Sequence, residues 1–328
     1  MDRLSAHLDR GWDLVSRGDA PGAAECGKRA LELDPKSPEV HNLLGYSAAL
    51  AGEAQEALEH YKQAIALDEN YFEAMLNAAE VLLTPLGEID EALRMCDEAT
   101  DVAETDEEIA DCFLLKVDAL IAKGDLDGAR KAMNMLPEGI TTPAYLFMMG
   151  RAYYELGDVE KAAPLIEEAA RRDPQHADAQ YYLGLVKDDA GDGHAATDAF
   201  LRTRALDSMR EPPAWAPSAD TFGKIVEQAI GKLDTVLARY VTEVAVYVVD
   251  VPGSELVVDG IDPRAPMLLE PGTVDGRATR LFVYQRNIER IAGALEHLET
   301  ELVAGLEREI TAVFLDDPGK QPKREQLN

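Results

Sequence analysis

Residues 143–176 read PAYLFMMGRAYYELGDVEKAAPLIEEAARRDPQH, and this stretch decides the fold. Its apolar residues recur at helical spacing on both sides of Gly157-Asp158, which indicates two helices joined by a turn. Glycine tolerates the left-handed conformation that ends a helix, and an acidic residue suits the N-terminus of the next one. Pro174 then ends the second helix, because proline cannot continue a helix. The stretch therefore predicts one helix-turn-helix unit.

Similar units recur along the chain at a spacing of about 34 residues. The turn glycines are Gly18, Gly52, Gly87, Gly124, Gly157 and Gly191. A parallel set of alanines consists of Ala23, Ala57, Ala92, Ala129, Ala162 and Ala196. A fixed period in this range is typical of a solenoid, in which each unit buries its apolar face only against its neighbours. We expect six units, at residues 4–37, 38–71, 72–106, 107–142, 143–176 and 177–210.

These residues resemble the tetratricopeptide repeat, a family of helix-turn-helix units. The fifth unit matches the family's spaced positions with Leu146, Gly150, Tyr153, Gly157, Ala162, Ala169 and Pro174. The second unit matches with Leu44, Gly45, Gly52, Ala57, Tyr61 and Ala64. The third unit has an extra residue around Thr84-Pro85-Leu86, and the fourth is the most degenerate, with Lys116 and Val117 where Leu and Gly are usual. The resemblance covers about two thirds of the chain and implies an α-solenoid over residues 1–210.

The charge of the chain limits the partners that it can bind. It has 62 Asp and Glu residues against 32 Lys and Arg, a formal net charge of -30. Nucleic acid is a poor candidate, because phosphate binding needs a basic surface, and anionic membranes are disfavoured for the same reason. Residues 1–219 hold 43 acids against 20 bases. We therefore expect a protein or peptide partner that is basic or amphipathic.

Three further features indicate a protein of the cytoplasm. The start of the chain lacks the apolar core of a signal peptide, and no uncharged apolar run is long enough for membrane insertion. Cys26, Cys96 and Cys112 form no Cys-x-x-Cys pair, and this odd number on predicted helices indicates reduced thiols.

The tetratricopeptide resemblance also implies where a partner binds. In such arrays the first helix of each unit lines the concave face, at equivalent positions of each unit. The residues predicted to line this groove are Leu8, Trp12, Asn42, Tyr46, Glu73, Leu76, Glu80, Asp118, Phe147, Arg151, Tyr154 and Tyr181. Aromatic residues interleaved with carboxylates suit an extended or helical peptide that carries Lys or Arg. Alternatively, these aromatic residues pack between helices of adjacent units. The Lys and Asn clamp by which some members hold a C-terminal carboxylate is not evident, because Asn42 has no matching Lys in the third unit.

After Ser208 the repeat period stops. Residues 211–219 are proline-rich and predict a linker, residues 220–317 predict a second domain, and residues 318–328 form a polar tail. Within the second domain we expect a helix over 221–240, a strand over 244–249, an irregular segment over 253–276 and a strand over 281–284. Two helices, at about 286–293 and 295–315, close the domain.

The order of these elements resembles the small bacterial minimal zincin, a metallopeptidase domain of the α+β class. The resembling residues are 244–250, 268–272 and 280–286. This resemblance implies a His-Glu-x-x-His zinc motif on the last helix. Here Glu309 falls on the family's general base as a vestige, but Arg308 and Ala312 fall on the two zinc-binding histidines.

Neither residue can bind zinc, because Arg stays protonated and Ala has no donor atom. The family's following Gly is Leu315, and its downstream Asp falls on Pro318, with Asp316 and Asp317 slightly displaced. We therefore predict a degenerate zincin-like domain without metal, cofactor or catalytic residues. Without the resemblance, the segment predicts an amphipathic helix whose core face is Leu302, Leu306, Ile310 and Val313.

The favoured hypothesis is a non-enzymatic scaffold or adaptor. Its groove binds a peptide or protein, and its metal-free pseudo-peptidase domain provides a second docking surface. One alternative is a metallopeptidase-like hydrolase with the unusual metal ligands His297, Glu301 and Glu309. A second alternative is a self-assembling scaffold whose groove is occupied by the 318–328 tail of a neighbouring molecule.

Overall fold

The computed structural model of the chain describes residues 3–272 and 277–315. These residues form two compact units. The first contains residues 3–206 and 211–215, and the second contains residues 207–210, 216–272 and 277–315. The polar tail at 318–328 and the positions of Asp316 and Asp317 lie outside the described residues.

The first unit consists of paired helices, and the predicted helical repeat is confirmed. The first helices of the pairs are α1 (Arg3–Ser16), α3 (Pro38–Leu50), α5 (Phe72–Leu83), α7 (Asp106–Lys123), α9 (Pro143–Glu155) and α11 (Ala177–Asp189). The second helices are α2 (Ala20–Leu33), α4 (Ala54–Leu67), α6 (Ile89–Val102), α8 (Leu126–Met133), α10 (Val159–Arg172) and α12 (Gly193–Met209). The fourth unit departs most from the pattern, because α8 has only 8 residues.

The turn within each pair is set by a glycine followed by an acidic residue. All six turn glycines have φ between +70° and +82°, a region that favours glycine over residues with a Cβ atom. The following aspartate then caps the second helix in several units. The Asp19 and Asp125 carboxylates accept hydrogen bonds from the backbone N–H groups of Gly22 and Gly128, each at 2.9 Å.

The recurring small residues lie where helices approach each other most closely. All six alanines of the repeated set are buried, with at most 3% of their surface exposed. Gly150 shows why a larger residue is excluded in the first helix, since a Cβ atom there would lie 2.7 Å from Ile166 Cγ1. Small side chains therefore permit the close approach that builds each unit.

The second unit contains a three-stranded sheet with helices packed against it. Its strands are β1 (Ala245–Val249), β2 (Met267–Pro271) and β3 (Ala278–Tyr284). Its helices are α13 (Ala219–Lys232), α14 (Thr235–Ala238), α15 (Ser254–Val258), α16 (Gln285–Ala292) and α17 (Leu298–Ile310). The strand order is β1-β3-β2, with β1 parallel and β2 antiparallel to β3.

The register of the sheet directs one face toward α17. Val283 of β3 pairs with Val248 of β1 and with Met267 of β2, and Val283 and Met267 are buried. The facing side of α17 is built from Leu302, Leu306 and Ile310, all buried as the helical spacing predicts. Val313 is half-buried and lies in a π-helical turn at Thr311–Leu315, after α17 has ended.

Three elements of the second compact unit differ from the sequence prediction. Of the helix expected over about 295–315, only Leu298–Ile310 is α-helical, since a 3-10 turn precedes it and a π-helical turn follows it. The segment 253–276, expected to be irregular, contains α15 and β2. Pro266 and Pro271 argue against a strand at β2 when only the sequence is considered. Proline is nevertheless tolerated at the ends and on the edge strands of a sheet. The helix expected over 221–240 ends at Lys232, because Asp234 caps α14 and accepts from Val236 N–H at 2.6 Å.

A buried ion cluster lies within the second compact unit, which includes Asp207. The Asp207 side chain is 1% exposed and lies 3.0 Å from Arg264 Nε and 2.8 Å from Arg290 Nη2. A buried carboxylate is tolerated only where cations compensate its lost hydration, and two arginines do so here.

Candidate functional site: the concave groove

The predicted groove residues lie on the first helices of the six units, but they differ in exposure. Tyr46, Glu73 and Glu80 are exposed to solvent. The half-buried members are Trp12, Leu76, Asp118, Arg151, Tyr154 and Tyr181. Leu8 and Phe147 are only 5% and 7% exposed and belong to the packed core, so we leave them out of the proposed contact surface.

Side chains one repeat apart contact each other along this row of helices. The Tyr145 hydroxyl on α9 donates to Asp111 on α7 at 2.8 Å across 34 residues. Tyr154 on α9 donates to Asp189 on α11 at 2.8 Å across 35 residues. Trp12 on α1 meets Tyr46 on α3 edge to face, with ring centroids 5.8 Å apart. Side chains of neighbouring first helices therefore meet about one repeat apart at several places along the array.

An amide pair connects the second and third units in this surface. Asn77 Nδ2 on α5 donates to Asn42 Oδ1 on α3 at 3.1 Å, and Asn42 Nδ2 lies 3.4 Å from the Tyr71 hydroxyl. Asn42 is buried, so its amide is engaged by these two neighbours. These hydrogen bonds therefore connect α3 with α5 and with the loop that precedes α5.

The middle of the groove concentrates carboxylates. Arg151 Nη2 lies 2.5 Å from Asp118 Oδ2 between α9 and α7. Burial nevertheless raises the pKa of Asp118 above its ordinary value, and Arg151 opposes this shift. The pKa of Asp111 is also raised by burial, while the hydrogen bond from Tyr145 lowers it.

Glu80 faces this cluster from α5. Glu80 is exposed as a whole residue, but partial burial of its carboxyl group raises its pKa. The charges of Asp111 and Asp118 raise the pKa of Glu80 further. Three carboxylates of raised pKa in one region favour the binding of a cation, because a nearby cation stabilises their ionised forms.

Aromatic rings dominate the last units of the groove. Tyr182 on α11 meets Tyr154 and Phe147 on α9 edge to face, with centroids 5.7 Å apart in both pairs. Its hydroxyl donates to Glu155 at 2.5 Å. Burial, with the hydrogen bond to Asp189, raises the pKa of Tyr154 to about 12, so this hydroxyl stays a donor at neutral pH. These rings pack against each other between α9 and α11, as the packing alternative predicts, and Tyr154 and Tyr181 are partly exposed.

Sequence reasoning missed several residues of this surface. They are Tyr71, Asn77, Tyr145, Glu155, Tyr182 and Asp189. Spacing could have found two of them, since Asn77 follows Asn42 by 35 residues and Tyr145 follows Asp111 by 34. The others lie between the family's usual groove positions.

In the second compact unit, which contains the sheet, the stretch aligned with the zinc motif is not one continuous α-helix. Arg308 and Glu309 lie in the last turn of α17, and Ala312 lies in the π-helical turn that follows. Glu309 Oε1 accepts a hydrogen bond from Leu269 N–H of the edge strand β2 at 3.1 Å. This carboxylate therefore covers a free backbone donor at one edge of the sheet.

The metal ligands considered for the hydrolase alternative do not converge. Across residues 3–272 and 277–315, no three His, Cys, Asp or Glu side chains are placed to hold a metal ion. His297 Nε2 lies 3.7 Å from Glu296, its neighbour in sequence. The same described residues contain no helix that is long and apolar enough to cross a membrane.

The repeats match known protein families. Residues 8–72 and 147–208 match a family model described as Tetratricopeptide repeat, and residues 48–112 match a second model of that description. These ranges together include just over half of the chain. The residues left between them contain most of the degenerate fourth unit, and neither match extends beyond residue 208.

Solved structures show the same fold. PilF of Pseudomonas aeruginosa is 20% identical, with a TM-score of 0.52 over 63% of this chain and 93% of its own. PilW, described as a widely conserved type IV pilus biogenesis factor, is 17% identical, with a TM-score of 0.53 over 63% of this chain and 95% of its own. No curated protein matches the sequence significantly.

Proposed function

We propose, since the chain belongs to the tetratricopeptide repeat family, that it is a non-enzymatic scaffold or adaptor whose concave groove binds a peptide or protein. The observation that carries the proposal is the row of first helices whose side chains contact each other about one repeat apart, between α1 and α3, α3 and α5, α7 and α9, and α9 and α11. Such a row offers an extended binding surface, which is what a solenoid presents to its partners.

The chemistry of the groove supports a basic or amphipathic partner. Glu80, Asp111 and Asp118 lie together on α5 and α7, and burial raises the pKa of each. A Lys or Arg side chain placed among them would favour their ionised forms. Exposed rings beside the acids, such as Tyr46, would contact the apolar part of that partner.

A charge-matched comparison tests the groove. Partners are captured from a native lysate on the immobilised full chain and identified, and their affinities are measured for two triple variants. The groove variant carries Glu80→Gln, Asp111→Asn and Asp118→Asn. The control makes the same charge change on second helices, at Glu56, Asp101 and Glu160, which are all exposed.

We expect the groove variant to lose affinity by about tenfold or more, because close charge pairs at interfaces contribute on the order of 1.5 kcal/mol or more. The control variant should bind nearly as tightly as the wild type. Equal losses in both variants would assign the effect to net charge and refute the groove as the binding surface.

We include the second unit in this proposal as a metal-free pseudo-peptidase domain that serves as a second docking surface. Three features support this role: Arg308 and Ala312 offer no zinc ligand, Glu309 is bonded to a strand, and β1 exposes Tyr247 on its outer face. Metal analysis of the purified chain tests this role, since stoichiometric zinc would contradict it.

Cytoplasmic location is also part of the proposal and is supported by three buried thiols, Cys26, Cys96 and Cys112.

A further inference from the structure

One of the six turn glycines differs from the others in its surroundings. Gly18, Gly87, Gly124, Gly157 and Gly191 are exposed, and a Cβ atom built on any of them would have no described atom within 4 Å. Gly52, between α3 and α4, is half-buried. A Cβ atom there would lie 2.8 Å from Trp215 Cδ1, 3.1 Å from Cγ and 3.4 Å from Nε1. An indole ring therefore lies directly on the bare backbone of this one turn.

The ring comes from the proline-rich segment Glu211–Trp215, which groups with the helical unit. We propose that the α3–α4 turn is a docking site for an aromatic side chain of a proline-rich segment, and that this chain's own Glu211–Trp215 occupies it. The inference rests on the proposed function and deepens it, because it gives the array a ligand of defined chemistry: a short extended peptide with prolines before a tryptophan.

The chemistry of the contact explains why this turn and this segment fit. All six turns need glycine for their positive φ, but a glycine also leaves a flat peptide surface against which a ring can lie. Pro212 and Pro213 restrict the backbone before Trp215, so less conformational entropy is lost on docking. Trp215 is half-buried, and tryptophan combines a large apolar area with a polar N–H group.

A single-tryptophan protein reports on the docked ring without any partner. The chain has 2 tryptophans, and Trp12→Phe leaves Trp215 as the only tryptophan while keeping an aromatic ring next to Tyr46. In this background we compare Gly52→Ala with Gly18→Ala and Gly124→Ala. The three glycines have φ of +81°, +75° and +82°, so an alanine meets the same backbone strain at each.

Only Gly52→Ala adds a methyl group against the ring. We expect a red shift of Trp215 emission and a larger acrylamide quenching constant for this variant, with both controls unchanged relative to the background. The same emission and quenching in all three variants would overturn the docking.

A peptide added in trans tests the chemistry of the ligand. The full chain with Trp215→Ala is titrated with a labelled peptide of residues 211–218, EPPAWAPS. We expect binding that weakens by about tenfold or more when the peptide tryptophan is replaced by alanine or when the chain also carries Gly52→Ala, which corresponds to about 1.4 kcal/mol or more. An affinity that is unchanged by both replacements, or no binding at millimolar peptide, would overturn the proposal. Neither result depends on Glu80, Asp111 or Asp118, so failure here leaves the groove test intact.

Discussion

Replacing Arg151 with methionine removes the cation that faces Asp118 across α9 and α7. The methionine keeps most of the apolar stem of the arginine, so packing changes little. The carboxylate remains, partly buried, without its partner at 2.5 Å. We expect the variant to be less stable at neutral pH.

The exposure of the Arg151–Asp118 pair determines how much the free energy of unfolding is expected to fall. The side chains of Arg151 and Asp118 are 28% and 25% exposed. Breaking a fully buried pair costs about 3–5 kcal/mol, and fully exposed pairs contribute about 0.2–1 kcal/mol. Among the described residues Arg151 Nε is buried without a hydrogen-bond partner, so removing the arginine also relieves a cost. These effects together give a loss of about 2 kcal/mol.

The pH dependence of the loss has a defined sign. Burial raises the pKa of Asp118 in the folded protein, and the variant raises it further because Arg151 favours the ionised form. The folded state then binds a proton at higher pH than the unfolded chain does. The penalty of the variant is therefore fully present above the folded pKa of Asp118 in the variant and disappears as the pH falls through that pKa.

Urea unfolding followed by far-ultraviolet circular dichroism measures both effects. Asp118→Asn completes a double-mutant cycle, in which the double variant should regain about 1 kcal/mol or more of what the single variants lose separately. No loss at neutral pH, or the same loss at every pH, would refute the assignment of an ion pair that stabilises the groove.

Two further predictions concern stability, one in the helical repeats and one in the compact unit that contains the sheet. Gly150→Ala should destabilise the repeats by about 1–2 kcal/mol, because its methyl group would lie 2.7 Å from Ile166 Cγ1, whereas Gly193→Ala, with no described atom within 4 Å, should be neutral or slightly stabilising. Thermal unfolding compares the two, and equal midpoints would contradict the close-packing argument. Glu309→Leu should cost about 1–3 kcal/mol by leaving Leu269 N–H unpaired, while Glu309→Gln keeps an acceptor and most of the stability. If urea unfolding finds both variants equally unstable, the hydrogen bond is not what Glu309 contributes.

The sequence predicted the repeats well because each is a local structure. Gly157-Asp158 fixes a turn through the backbone properties of these residues alone, whereas Pro174 follows the end of α10, a helix that continues through Pro164. The recurring alanines indicated the helix contacts, and they are buried. Prediction was weaker for β2, because a short edge strand between prolines owes its existence to pairing with β3.

The candidate site was predicted in part. The family's spacing gave the row of first helices, but it could not distinguish Tyr46, which is exposed, from Phe147, which is buried against Tyr182 and His176. Equivalent positions differ in exposure because the size of neighbouring side chains varies from unit to unit. The raised pKa values of Asp111 and Asp118 likewise depend on enclosure by the surrounding helices.

The sequence by itself therefore determined the repeat, its turns and the acidity of the chain, since these follow from residue type and near neighbours. The tertiary structure alone decided which side chains meet across one repeat, that Glu309 bonds to a strand, and that Trp215 lies on Gly52. The last two contacts join residues 40 and 163 positions apart in the chain. No local pattern encodes such pairings, because they depend on how packed helices and strands bring distant segments together.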